Sequence, residues 1–289
     1  MGSMTTDKQE QSIGIFDSGV GGLTVLRELY RQLPNESIIY FGDTARLPYG
    51  IRSSKEIIQF VREIITWFLE QNVKMILMAC NTSSALALDA IRSEFDIPIL
   101  GLILPGARAA VQQGKRIGVI ATPATVASNA YRQAILEVNA QDKGTYQDCQ
   151  VWQIGCPAFV PLIESNRIYD IQTYQTAREY LTPLIQQQID TLIFGCTHYP
   201  LLEPVLRSIL PNSVKFIDPA IYLVNATAQE IELLGLTHNG SPKPTRFCVS
   251  GSPEHFAEIS KQWLGYTPLV EQVTLPNLGT TPVTLEVEN

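Results

Sequence analysis

The sequence predicts an α/β fold made of two pseudo-symmetric domains, with mainly parallel sheets flanked by helices and an active site in the interdomain cleft. Three observations predict this fold. Short runs rich in β-branched residues alternate with longer amphipathic stretches, which is typical of parallel α/β units. Two pairs of segments in the two halves of the chain resemble each other. In both halves a cysteine, with a threonine one or two residues later, stands at the end of a predicted buried strand.

The predicted strands are short apolar runs, and the predicted helices are longer stretches in which apolar residues recur every three or four positions, as at Ile57, Val61 and Ile64. The strands are Ser12–Phe16, Ser37–Gly42, Met75–Ala79, Ile99–Leu102, Arg116–Ala121, Gln150–Ile154, Thr191–Gly195, Val214–Ile217 and Phe247–Ser250. The helices are Leu23–Gln32, Lys55–Gln71, Ser83–Phe95, Pro105–Gln113, Asn129–Glu137, Thr173–Gln188, Pro204–Leu210, Ala220–Leu234 and Pro253–Leu264.

The internal similarity lies in two short segment pairs. Ile13–Asp17 (IGIFD) is echoed by Ile117–Ala121 (IGVIA), and Lys74–Cys80 (KMILMAC) by Asp190–Cys196 (DTLIFGC). A duplication and a generic α/β likeness both account for such short echoes. Because ligands of parallel sheets bind at the carboxyl ends of strands or at domain interfaces, the two cysteines are expected to face one cleft.

The length of the chain suits one large or two medium domains. We expect a first domain built from residues 12–104 and 217–289 and a second built from residues 105–216.

Composition argues against several classes of protein. The formal net charge of −7 argues against non-specific nucleic-acid binding. No apolar stretch reaches the roughly 18–20 residues of a membrane span, and the polar first residues lack an apolar signal core, so a cytoplasmic protein is expected. The five cysteines form no C-x-x-C pair and the three histidines are far apart, so neither a disulfide framework nor a metal site is expected.

The first loop whose residues indicate a chemical role is Asp17–Gly22 (DSGVGG), between a predicted strand and a predicted helix. Its glycines and the helix N-terminus suit an anion, but it is not G-x-G-x-x-G and no Walker lysine follows. Asp17 is either a cap of a tight strand–helix turn or a catalytic carboxylate at a strand end.

The second loop, Phe41–Gly50, also follows a predicted strand. Pro48 and Gly50 predict a turn that holds backbone amides and Tyr49 against a ligand. Taken alone, such a segment is more often an ordinary loop.

Cys80 precedes Asn81, Thr82 and Ser83, side chains that offer hydrogen-bond donors to a carboxylate and caps to the next helix. The N-terminus of that helix is predicted to lower the pKa of the Cys80 thiol. A lone cysteine at a strand end is usually a small buried hydrophobe.

Cys196 stands in a parallel setting, followed by Thr197 and His198. His198 is expected to tune the Cys196 thiol or to relay a proton. Two cysteines in such similar polar settings favour a pair of reactive thiols that face one site.

Four segments resemble the glutamate racemase family in their order and spacing. They are Ile13–Leu26 (IGIFDSGVGGLTVL), Tyr40–Gly50 (YFGDTARLPYG), Ala79–Ala85 (ACNTSSA) and Gly195–Leu202 (GCTHYPLL), with two further family-like segments at Ile117–Ser128 and Cys156–Ser165. The resemblance runs from about Ile13 to Leu264.

The resemblance implies the roles of individual residues. Cys80 and Cys196 are the implied catalytic thiols, acting on D-glutamate and L-glutamate respectively, and His198 assists Cys196. Asp17 and Glu164 are the implied carboxylates on the two sides. The implied substrate contacts are Asp17, Ser18, Pro48, Tyr49, Gly50, Cys80, Asn81, Thr82, Thr122, Thr125, Cys196, Thr197 and His198.

The implied reaction is a two-base racemisation of glutamate that supplies D-glutamate for bacterial peptidoglycan, and a homodimer is expected. None of these motifs contains the lysine of a pyridoxal Schiff base, so no cofactor is expected. Two alternatives stay open: an aspartate racemase, and a non-catalytic amino-acid-binding protein with the same cleft.

The remaining cysteines and histidines have no matching motif. We expect Cys149, Cys156 and Cys248 to be structural, and His238 and His255 to be surface or capping residues. No secondary structure is predicted after Leu264.

Overall fold

The computed structural model describes residues 8–141 and 149–276. Its strands are β1 Ile13–Asp17, β2 Ile38–Gly42, β3 Met75–Met78, β4 Ile99–Gly101, β5 Arg116–Ala121, β6 Gln150–Gly155, β7 Thr191–Gly195, β8 Lys215–Ile217, β9 Arg246–Val249 and β10 Val270–Gln272. Its helices are α1 Leu23–Gln32, α2 Ser54–Glu70, α3 Asn81–Ile91, α4 Ile103–Gln113, α5 Pro123–Ala127, α6 Ala130–Gln141, α7 Phe159–Glu164, α8 Ile171–Gln186, α9 Glu203–Ile209, α10 Pro219–Leu233 and α11 Pro253–Leu264, with 3₁₀ turns at Thr44–Arg46, Tyr49–Ile51 and Tyr199–Leu202.

The strands form two sheets, and each pair of neighbours within them is parallel. The first sheet has the order β10-β9-β2-β1-β3-β4 and the second β6-β5-β7-β8. The orders β2-β1-β3-β4 and β6-β5-β7-β8 are therefore equivalent, with β1 and β5 in the same place. This equivalence confirms the predicted α/β class with two similar halves, and it explains why the segments at β1 and β5 resemble each other.

The central strands are buried on both faces, as parallel strands covered by helices must be. Every residue of β1, β2, β3 and β7 is buried, which accounts for their near-continuous apolar sequences. Local sequence signals mark where some helices begin and end. Ser53 and Glu56 form a capping box at the start of α2, and Gly265 ends α11 in the left-handed conformation with φ 77°.

The predicted elements are all present, and β5, β7, α1 and α11 have the predicted bounds. The structure adds three that were not predicted. Strand β10 lies in the segment after Leu264, which was expected to be a packed or loose tail, and extends the first sheet through its pairing with β9. Helices α5 and α7 are only 5 and 6 residues long, too short for a helical period to show in the sequence. In the described part of the chain, no helix is long and apolar enough to cross a membrane.

Candidate active site at the strand ends of both sheets

One cavity of about 210 Å³ lies where the carboxyl ends of strands from both sheets meet. Asp17 ends β1, Cys80 follows β3 and Cys196 follows β7, so the parallel topology brings these side chains to the same place. Of the predicted site residues, the cavity is lined by Asp17, Ser18, Pro48, Tyr49, Gly50, Cys80, Asn81, Thr82, Thr122, Glu164, Cys196, Thr197 and His198.

Thr125 does not line the cavity but lies fully buried beside it, bonded to the residues that do. The walls also contain residues that were not predicted, which are Leu47, Ile51, Pro123, Cys156, Pro157, Val160 and Pro161. All of them except Ile51 lie within the segments that resemble the family, and that membership is the signal that could have found them.

Cys156 was expected to be purely structural, yet its buried side chain lines the cavity. Its backbone N–H donates to the carbonyl of Ala121 at 2.8 Å, just as the N–H of Asp43 donates to the carbonyl of Asp17 at 2.9 Å. Cys156 and Asp43 therefore occupy equivalent positions in the two sheets. Burial raises the pKa of the Cys156 thiol, which keeps it protonated and poorly nucleophilic.

Cys80 is buried at the N-terminus of α3. Burial and the negative charge of Asp17 raise the pKa of the Cys80 thiol to about 12, and hydrogen bonds from Ser83 only partly oppose them. The expectation that the helix N-terminus lowers this pKa was therefore wrong, because loss of hydration outweighs the helix dipole in this cavity. Cys80 carries its proton at neutral pH.

The glycine-rich loop holds the carboxylate of Asp17. Asp17 is 1% exposed, and its Oδ2 accepts a hydrogen bond from the N–H of Gly19 at 3.0 Å. Burial raises the pKa of Asp17, whereas the charge of His198 and the loop N–H groups lower it. The loop therefore directs backbone N–H groups to the protein's own Asp17 side chain.

Gly21 shows why this loop needs a glycine. A Cβ atom at Gly21 would lie 2.4 Å from His198 Nδ1 and 2.4 Å from Thr197 Oγ1. The loops after β1 and β7 therefore approach each other so closely at Gly21 that any side chain at this position would clash.

Cys196, His198 and Glu164 form a chain of polar contacts. The Sγ of Cys196 lies 3.7 Å from His198 Nδ1, and His198 Nε2 lies 3.0 Å from Glu164 Oε1. Burial by itself would lower the pKa of His198, but the contacts with Cys196 and Glu164 outweigh burial and raise it to about 10. His198 is therefore an imidazolium at neutral pH, with its Nδ1 beside the Cys196 sulfur.

Asn81 offers a free donor to the cavity. Its Oδ1 accepts a hydrogen bond from the hydroxyl of Tyr131 at 2.6 Å, which fixes the orientation of the amide. Its Nδ2 is buried and has no hydrogen-bond partner among the residues that the structure describes. A buried donor without a partner is costly, so this group is well suited to bind an acceptor on a ligand.

Three threonine hydroxyls connect the two halves beside the cavity. Thr82 Oγ1 lies 2.9 Å from Thr122 Oγ1 and 3.2 Å from Thr125 Oγ1, and the last two are 3.0 Å apart. Thr82 belongs to α3, next to the first sheet, whereas Thr122 and Thr125 begin α5, next to the second.

Asp43 anchors the loop that carries Tyr49. Asp43 is fully buried and accepts hydrogen bonds from Arg46 Nε and from the hydroxyl of Ser250, each at 2.7 Å. The hydroxyl of Tyr49 also donates to Asp43. Because this hydroxyl is already engaged, Tyr49 shapes the cavity wall rather than offering a free donor.

The other histidines and cysteines lie elsewhere. His238 bonds the carbonyl of Asn35 at 2.7 Å, and neither His238 nor His255, Cys149 or Cys248 lines the cavity. Within residues 8–141 and 149–276, no group of three or more His, Cys, Asp and Glu side chains is arranged to hold a metal ion.

Known proteins that resemble this chain in sequence belong to one family. The family model of Asp/Glu/Hydantoin racemase matches residues 13–227. Glutamate racemase of Trichodesmium erythraeum is 66% identical over 94% of this chain and 98% of the relative, and that of a Nostoc species is 65% identical over 94% and 91%.

Solved structures lead to the same family. A glutamate racemase of Bacillus anthracis is 39% identical with a TM-score of 0.86, covering 93% of this chain and 99% of the other. That of Francisella tularensis, solved with D-glutamate, is 34% identical with a TM-score of 0.83, covering 92% and 98%. An aspartate racemase of Picrophilus torridus, at 17% identity and a TM-score of 0.52 over 77% of this chain and 94% of the other, shares the fold alone. The chain belongs to the glutamate racemase family.

Proposed function

We propose that this racemase interconverts L-glutamate and D-glutamate with Cys80 and Cys196 as two opposed acid/base groups. The observation that carries the proposal is the placement of both thiols at equivalent strand ends of the two sheets, in the wall of one cavity. Racemisation removes a proton from one face of Cα and returns one to the other face, and a single base does not easily reach both. Two opposed groups solve this problem.

For L-glutamate we propose the following proton transfers. Cys196, acting as the base beside the His198 imidazolium, takes the α-proton from one face. The Cys80 thiol, kept protonated by burial and by Asp17, gives its proton to the other face. The product is D-glutamate, and it leaves a Cys80 thiolate and a Cys196 thiol. D-glutamate reacts by the reverse sequence, with Asp17 placed beside Cys80 to help move its proton.

The carbanion-like transition state requires donors around the substrate carboxylate. The unpartnered Nδ2 of Asn81 is the first of these donors in our proposal. Ser18, Thr82 and Thr197, which also line the cavity, are the others. Glu164 acts on the opposite side through His198 and keeps its imidazole charged.

Three further expectations from the sequence remain predictions. We propose the domain division 12–104 plus 217–289 and 105–216, which is supported by the membership of the two sheets except at Ile217, the last residue of β8. We also propose a homodimer, which sedimentation equilibrium tests directly. A cytoplasmic enzyme that supplies D-glutamate for peptidoglycan is the cellular role that fits the family, and D-glutamate auxotrophy after deletion of the gene tests it.

The direct test of the activity is incubation of the purified protein, with no cofactor added, in D₂O with each enantiomer of glutamate and of aspartate. Chiral chromatography measures the enantiomers and ¹H NMR measures the α-hydrogen. We expect both glutamate enantiomers to reach an equal mixture with deuterium at Cα, and aspartate to react far more slowly. Faster reaction of aspartate, or binding without α-hydrogen exchange, would contradict the proposal.

A further inference from the structure

We propose that Trp263 is a positioning residue for the reaction, holding the imidazole of His198 in line with Cys196 and Glu164. The inference rests on the proposed function of His198 as the partner of Cys196. Trp263 lies in α11 and is 3% exposed. It is not among the described residues that line the cavity, so it acts through His198 rather than on the substrate.

The two aromatic rings are packed edge to face. The centroids of His198 and Trp263 are 5.4 Å apart, and the ring planes are inclined by 87°, which is a preferred geometry for aromatic pairs. The indole Nε1 of Trp263 is buried and has no hydrogen-bond partner among the described residues. The ring face and edge, rather than the polar group, therefore carry the interaction, and a phenyl ring at this position should preserve it.

Trp263 supplies a constraint that the polar contacts of His198 do not. The contacts of Nδ1 with Cys196 and of Nε2 with Glu164 hold two atoms of the ring but allow its plane to swing about the line between them. The close approach of Gly21 to the Nδ1 edge and the packing of Trp263 restrict that swing.

Both of these restraints come from elements next to the first sheet. Gly21 follows β1, and α11 lies between β9 and β10 along the chain. The charged or titratable groups that face His198 are Cys196, Glu164 and Asp17. Rotation of the ring would therefore change its distance from each of them and alter the protonation of the Cys196–His198 pair.

The test compares Trp263→Leu and Trp263→Phe with the matched control Phe256→Leu. Phe256 lies in the same helix, is 1% exposed and packs on Tyr40 with ring centroids 5.8 Å apart. Each variant is assayed for kcat and KM with L-glutamate, for Tm, and for the titration of His198 by ¹³C NMR. The resonance is assigned by its loss in His198→Gln.

We expect Trp263→Leu to lose at least about tenfold in kcat with KM changed by less than about threefold. The pKa of His198 should fall, and Trp263→Phe should keep at least about half of the wild-type kcat. Phe256→Leu should lower Tm about as much as Trp263→Leu does, while leaving kcat within about threefold of wild type.

Equal losses of kcat in Trp263→Leu and Phe256→Leu, or an unchanged titration of His198 in Trp263→Leu, would overturn the inference. If Trp263→Leu does not fold, Trp263→Met fills more of the space with a flexible chain and is expected to show the same losses. Failure of the inference is distinct from failure of the proposed function, because the wild-type protein is assayed beside the variants and must itself racemise glutamate.

Discussion

Replacing Glu164 by glutamine tests how the Cys196 side of the site is charged. Glu164 Oε1 lies 3.0 Å from His198 Nε2, and the glutamine amide has nearly the same shape without the charge. The variant therefore keeps the packing and removes one of the two contacts that raise the pKa of His198.

The magnitude follows from the His198 pKa, which is raised from 6.5 to about 10. At about 1.4 kcal/mol for each tenfold change in the equilibrium, this rise corresponds to about 5 kcal/mol in favour of the imidazolium. The Glu164 side chain is 30% exposed, so solvent screens its part, and we assign it about 1.5–3 kcal/mol, the range for a hydrogen bond to a charged group. Glu164→Gln should lower the His198 pKa by about one to two and shift the alkaline fall of kcat to lower pH by the same amount.

The raised pKa of His198 also determines how the free energy of unfolding depends on pH. Because folding raises the His198 pKa, the charged ring stabilises the fold fully below pH 6.5, and this contribution is lost as the pH rises through about 10. Glu164→Gln removes part of this contribution, so its free energy of unfolding should be lower than that of wild type, with a difference that disappears as the pH rises through about 10.

The assay is ¹³C NMR titration of His198 together with kcat for L-glutamate across the same pH range. Glu203→Gln is the matched control, since it removes a carboxylate that pairs with Arg207 and forms no hydrogen bond with His198. An unchanged titration of His198 together with an unchanged pH dependence of kcat in Glu164→Gln would contradict this role of Glu164.

Three further substitutions test separate parts of the site. In Gly21→Ala the new Cβ would lie 2.4 Å from His198 Nδ1; overpacking of about 1–3 kcal/mol should lower stability in urea and reduce kcat by at least about tenfold. Asn81→Ala removes the unpartnered donor and should raise KM for glutamate by about 10–100-fold in steady-state assays. Tyr49→Phe removes one donor to Asp43 and should cost about 1 kcal/mol in urea unfolding while leaving KM within about threefold.

The fold was predictable where the sequence carries strong local signals. Strands β5 and β7 are apolar runs with clear ends, and α1 and α11 have regular apolar periods, so their bounds were predicted correctly. Strand β10 was missed because it has only three residues, all at least partly exposed. Its pairing with β9 is a tertiary contact with no local signature.

Asp17, Cys80 and Cys196 were predictable from their places at strand ends, whereas Glu164, the last residue of α7, was expected only from the resemblance to the family. The direction of the Cys80 pKa was not predictable, because a helix N-terminus is visible in the sequence whereas complete burial beside Asp17 is not. The packing of Trp263 on His198 joins residues far apart in sequence, and only the fold brings them together.

The central claim is that two thiols act on opposite faces of one carbon, and replacement of each thiol tests it most directly. Cys80→Ala and Cys196→Ala, with Cys248→Ala as a buried-cysteine control, are assayed with both glutamate enantiomers by chiral chromatography. We predict that each of the first two variants keeps its fold and loses at least about a thousandfold in racemisation, while the control retains wild-type activity. Full activity in either Cys80→Ala or Cys196→Ala would contradict the two-thiol account.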